Sequence, residues 1–154
     1  MSMKYFGIVF LSMIFFSFAS CQNHPAKTPL DFSISIGSHS GLTGLSAITI
    51  ISLDSCIDEE RKVDSILTRH KWKVTETELG SLYQSLLELD AFDIKSLAYH
   101  GRSYDEGNTS VYFMINKKSY RILSSANNRI IKKDEKKYQE MLKLINDFVI
   151  TTRK

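Results

Sequence analysis

The chain has 154 residues, 43% hydrophobic and 11% aromatic, enough for one buried core beyond an N-terminal targeting segment. Lys and Arg number 20 against 17 Asp and Glu, a net charge of +3, which weighs against a nucleic-acid partner and against strong steering by net charge. Two cysteines and four scattered histidines (His24, His39, His70, His100) give neither a disulfide framework nor the short ligand spacing of a structural metal site.

Residues 1–20 read MSMKYFGIVFLSMIFFSFAS. Lys4 supplies a positive start. Tyr5 to Phe16 is apolar apart from Gly7 and Ser12, and small residues follow at Ser17, Ala19 and Ser20. This is the three-part pattern of an export signal. The run is too short to span a hydrocarbon core of about 30 Å comfortably.

Phe18-Ala19-Ser20-Cys21 resembles the bacterial lipobox. The resemblance implies diacylglycerol on the Cys21 thiol, cleavage before Cys21 and acylation of the new amine. That covalent lipid is the only cofactor expected. Two or more acyl chains hold a protein stably at a membrane, where one does so only marginally. The alternative is an ordinary signal cut after Ala19 or Ser20, with Cys21 a plain thiol. Gln22 to Pro29 is polar and carries both prolines, so residues 21–29 are predicted to form the lipidated end and an extended tether. Gln22 stands where proteobacterial sorting places Asp for inner-membrane retention. By that similarity the destination is the outer membrane. No acidic run follows, which favours its periplasmic leaflet.

Residues 30–154 are predicted to be a single α+β domain. Without residues 1–20 the cations fall to 19, so this part is nearly neutral. Asp31 to Ile36 alternates polar and apolar, a half-buried strand. Gly37 to Gly44 holds three glycines and reads as a loop. Leu45 to Leu53 is β-branched and forms a second strand, completing a hairpin. Asp54 to Lys62 is so charged that it reads as a turn. Ile66 to Val74 is a third strand, with Ile66, Thr68, His70, Trp72 and Val74 on one face. Leu67, Arg69, Lys71 and Lys73 take the other, solvated or near anionic lipid heads. Thr75 and Glu78 have capping-box spacing. Leu79, Leu82, Tyr83, Leu86 and Leu87 then mark an amphipathic helix ending near Asp90.

Phe92 to Tyr99 is ambiguous between strand and turn, and His100 to Asn108 is a polar loop. Thr109 to Ile115 and Ser119 to Ser124 form a short hairpin. From about Lys133 a second amphipathic helix runs through Tyr138, Met141, Leu142, Ile145, Phe148 and Val149. The order β-β-β-α-(β)-β-β-α predicts an antiparallel, hairpin-rich sheet with both helices packed on one face. With its signal, this layout resembles the small, uncharacterised envelope lipoproteins of the Bacteroidota kind, a likeness that carries no activity with it.

Two loops are the candidate binding elements. The first contains Gly37, Ser38, His39, Gly41, Leu42 and Gly44. It lacks the Gly-Lys-Ser/Thr ending of a phosphate loop and feeds a strand, so no helix N-terminus waits for an anion. Its plainest reading is a mobile hairpin tip, and its sharper one a wedge for a partner's groove, as in some protease inhibitors. The second contains Tyr99, His100, Arg102 and Tyr104, residue types common in binding hot spots. Ser38 and His39 with Asp31 or Asp54 would make a hydrolase triad only if geometry assembled them. Cys56 stands among carboxylates that dull a thiol, and reads as a small, half-buried residue. Trp72 reads as core.

The expectation is therefore a lipid-anchored envelope protein without catalysis of its own. Its domain would bind, or help assemble, another envelope protein. A protease inhibitor and an envelope hydrolase stand as alternatives.

Overall fold

The computed structural model describes residues 27–63, 65–98 and 107–153. Cys21, Tyr99, His100, Arg102 and Tyr104 lie outside them. The fold is α+β. Strands β1 (Ser33–His39), β2 (Leu45–Ser52), β3 (Cys56–Lys62), β4 (Ser65–Trp72), β6 (Asn108–Ile115) and β7 (Lys118–Ser124) form one antiparallel sheet in the order β4-β3-β2-β1-β6-β7. Strands β5 (Ser96–Ala98) and β8 (Asn128–Ile130) make a small second sheet. Helices α1 (Glu76–Glu88) and α2 (Glu135–Thr152) are the two α-helices among the described residues.

Two strands escape the sequence expectation. Asp54 to Lys62 is largely strand β3, and Asn128–Ile130 is strand β8. Two carboxylates of β3 are paired, in part from other elements. Asp58 accepts from Thr49 Oγ1 at 2.9 Å and pairs with Arg153, while Glu59 is held by Arg61 and Arg69. Between β3 and β4 the register shifts at Glu60 and Arg61, so Ile66 stands opposite Arg61. A shift of one residue exchanges faces. Ile66 therefore leaves the face of Thr68, His70 and Trp72.

The core lies between the sheet and the helices. Ile34 pairs with Ile51 and Phe113, and Val111 pairs with Ile122, so one face of the sheet is apolar. Leu79, Leu82, Tyr83 and Leu86 of α1 meet it, as do Tyr138, Met141, Ile145 and Val149 of α2. Cys56 is fully buried there, and burial pushes its thiol pKa up. Trp72 is half-buried on the same side and donates from Nε1 to Thr152 Oγ1 at 3.0 Å. Among the described residues the opposite face carries no helix. Among the described residues no helix is long and apolar enough to cross a membrane.

Local rules explain where α1 starts and how β6 turns into β7. Thr75 Oγ1 accepts from the Glu78 N–H at 3.2 Å, and the Glu78 carboxylate accepts from the Thr75 N–H at 2.8 Å. Such a cap contributes about 1 kcal/mol. Asn116 and Lys117 form the β6–β7 turn with positive φ at both positions, the twist that a two-residue hairpin favours. The Asp31 carboxylate accepts from both their backbone N–H groups. Those bonds, the Lys117 amide first, hold its pKa below the ordinary value. The stability they confer is present at neutral pH and lost as pH falls through that lowered pKa. Asp31→Asn is expected to lower the urea midpoint at neutral pH. In acid, below the ordinary carboxylate value of about 3.9, the gap from wild type should narrow. A gap independent of pH would remove Asp31 from this role.

The end of the predicted tether is not free. Pro29 accepts from the Phe32 N–H at 3.0 Å, and Thr28 lies on α1 at Gly80. A Cβ at Gly80 would stand 3.0 Å from Thr28 Oγ1. Glycine inside a helix costs about 1 kcal/mol against alanine, and here it makes room for the strap. Thr28, Pro29 and Leu30 also lie beside Leu53, just beyond β2, so the strap sits at the end of the sheet where β1 begins.

Candidate functional site

The other end of the sheet gathers the first candidate loop and an unexpected set of apolar side chains. Gly37, Ser38 and His39 belong to β1, so the loop shrinks to a tight turn from Ser40 to Gly44. Ser40 N–H donates to Leu45 O at 2.8 Å, and Gly44 N–H to Ser40 O at 3.0 Å. Gly44 has φ +65°, the left-handed conformation that glycine adopts without penalty. Gly41 and Leu42 stand at the tip, and Leu42 is exposed.

The β3–β4 turn lies against this one. Val63 N–H donates to Gly44 O at 3.0 Å, and Leu45 pairs with Lys62. Leu42, Leu45, Val63, Ile66 and Leu67 therefore share one end of the sheet, each between 42% and 73% exposed. Leu45 alternates to the helix side with Ala47 and Thr49, whereas Ile66, opposite Arg61, lies on the other face, so the group surrounds the end of the strands. Scattered exposed apolar residues are ordinary, but so many gathered at one end point to an interaction surface.

Val63 adds a second sign. It has φ +52°, a left-handed conformation that a β-branched residue rarely adopts. Strain of this kind costs on the order of 1–3 kcal/mol and collects at functional positions. Val63→Gly is expected to raise unfolding stability by about 1 kcal/mol, because little burial is lost with the exposed side chain. Urea unfolding measures this, and a loss of stability would show that the Val63 side chain supports the fold.

Beside the tip, Ser38, His39, Leu45, Glu60, Asn108 and Thr109 help line an open cavity of about 380 Å³. His39 pairs with Asn108 across β1 and β6, and Gly107 approaches the His39 carbonyl. The second candidate loop thus rejoins the described chain beside the first. The triad considered from sequence is not assembled. Asp31 caps the β6–β7 turn and Asp54 follows β2, both at the strap end. The seven residues of β1 separate them from Ser38 and His39 by roughly 20 Å.

Of the residues at this end, sequence singled out the Gly37–Gly44 segment and its Leu42. It missed Leu45, Val63, Ile66 and Leu67 as site residues. Their clustering follows from the β2–β3 and β3–β4 pairings, and β3 was not visible as a strand. No family model and no curated protein matches the sequence.

Proposed function

We propose that this protein is a lipid-anchored component of a bacterial envelope whose domain binds or helps assemble another envelope protein, without catalysis of its own. The observation that carries this reading is the apolar tip formed by Leu42, Leu45, Val63, Ile66 and Leu67 at the end of the sheet opposite the strap. The export signal and the lipobox resemblance at Cys21 support the anchor. From Cys21 to Lys27 the chain reaches at most about 20 Å. An anchor there holds the strap end near the membrane, in this reading the periplasmic leaflet of the outer membrane, and leaves the tip for a protein partner.

Photo-crosslinking in living cells tests it. A crosslinking amino acid at Leu42 or Val63 should give one discrete adduct, and the same group at Leu97 should not. Equal labelling at all three positions, or none at the tip, would reject the reading.

A protease-inhibitor role is the second reading, favoured by exposed Leu42 on an ordered turn. The hydrogen bonds that close the turn oppose it, since a segment that adds to a partner as a strand must be extended. Stoichiometric inhibition of an endoprotease, abolished by Leu42→Ser, would promote it to first place.

A further inference from the structure

The apolar tip has a charged border organised by one buried acid. The Glu59 side chain is only 6% exposed and lies on the face without helices. It stands opposite Arg69 on β4 and Ile48 on β2. Arg61 donates from Nε to Glu59 Oε1, and Arg69 Nε lies 3.2 Å from Oε2. Each guanidinium uses its Nε on Glu59, and among the described residues its Nη groups pair with no other carboxylate. The two side chains remain 45% and 54% exposed. Two cations on one carboxylate leave a net charge of +1, and they are held in position before any ligand arrives, which lowers the entropy cost of binding.

The surroundings extend that sign. Ile66 of the tip stands opposite Arg61. Lys71 and Arg121 are the other exposed charges on this face among the described strand residues, the latter stacked over Tyr112. Asp58 and Glu60 alternate to the helix side, where Arg153 engages Asp58. A second copy packed face to face would set cation against cation, so self-association through this face is disfavoured. The strap lies at the far end of the strands, which favours a protein over the anchoring bilayer.

We infer that the apolar tip and the Arg61–Glu59–Arg69 cluster form one docking surface for an acidic protein segment. Its apolar side chains would meet Leu42, Val63, Ile66 and Leu67. Flanking Asp or Glu would take the two guanidiniums, for which carboxylates are good planar partners. This rests on the proposed binding function and gives the partner its chemistry.

The full-length lipoprotein in nanodiscs of neutral phosphatidylcholine, exposed to a random dodecapeptide library, tests it. Enriched peptides should combine Leu, Ile, Phe or Trp with Asp or Glu, and should weaken as salt rises. Arg69→Gln should weaken them on the order of tenfold. Arg69→Lys keeps Glu59 paired and the strand intact, and should still weaken them several-fold because the planar fork is lost. Apolar peptides without acids, bound equally by both variants and lost in Leu42→Ser, would overturn the inference and leave the binding function standing. Enrichment of no peptide, with cosedimentation on phosphatidylglycerol vesicles instead, would overturn both.

Discussion

Phe113→Ala should lower the melting temperature by on the order of 10–20 °C, or leave the domain unfolded. Phe113 is 1% exposed and central in β6, between Ile34 of β1 and Tyr120 of β7. Its ring meets Phe92 edge to face, with centroids 5.0 Å apart. Phe92 in turn stacks towards Tyr83 of α1, and Tyr83 towards Phe32, so one aromatic chain ties sheet, turn and helix. Removing a fully buried Phe costs about 3–5 kcal/mol, from lost transfer energy and from the cavity left behind. Total stabilities of small domains are only about 5–15 kcal/mol. Phe113→Leu, which keeps most of the volume, should cost about 1.5 kcal/mol or less. Thermal unfolding of the two variants decides the matter. If alanine cost no more than leucine, the site would have to be loosely packed.

Cys21→Ala should abolish lipidation completely. Without the thiol no diacylglycerol can be attached, and either uncut precursor accumulates or an unanchored chain is released. The described domain gives no reason to expect residual attachment by a spanning helix. Detergent-free fractionation and intact mass measure the outcome. Wild-type material should carry the added lipid mass. A wild-type chain that carries no lipid mass and leaves the membrane, with Cys21→Ala processed in the same way, would favour the ordinary signal peptide instead.

The elements that were legible in the sequence share a property: their stabilising partners are local or periodic. Helix α1 is marked by its own cap at Thr75 and Glu78 and by the spacing of Leu79, Leu82, Tyr83 and Leu86. Strand β1 alternates, and β6 and β7 flank a short turn. Strand β3 was not legible because its cost of burial is offset elsewhere. Glu59 needs Arg69 from the next strand, and Asp58 needs Arg153 from the end of α2. Arg61 on β3 itself is a local partner of Glu59, but local composition gives no hint of the two distant ones. The face of Ile66 was hidden for a related reason, since the β3–β4 register shift breaks the alternation. The candidate site inherits both gaps. Leu42 could be singled out from its own loop, but Val63 and Leu67 become its neighbours only once β2, β3 and β4 are paired.

The strap and the tip together decide how the domain would bear force. Chain from the strap runs straight into β1, and the tip begins where β1 ends. β1 is an interior strand, paired along all seven residues with β2 on one side and β6 on the other. Tension between an anchored N-terminus and a partner on the tip is directed along β1, parallel to the strands and across their hydrogen bonds. Where a partner grips Leu42 the β1 backbone carries that load, and where it grips Val63, Ile66 or Leu67 the load reaches β1 through strand ladders in shear, not by unzipping them bond by bond. A domain held at one end and gripped at the other is thereby mechanically resistant along the one axis on which its proposed work would pull.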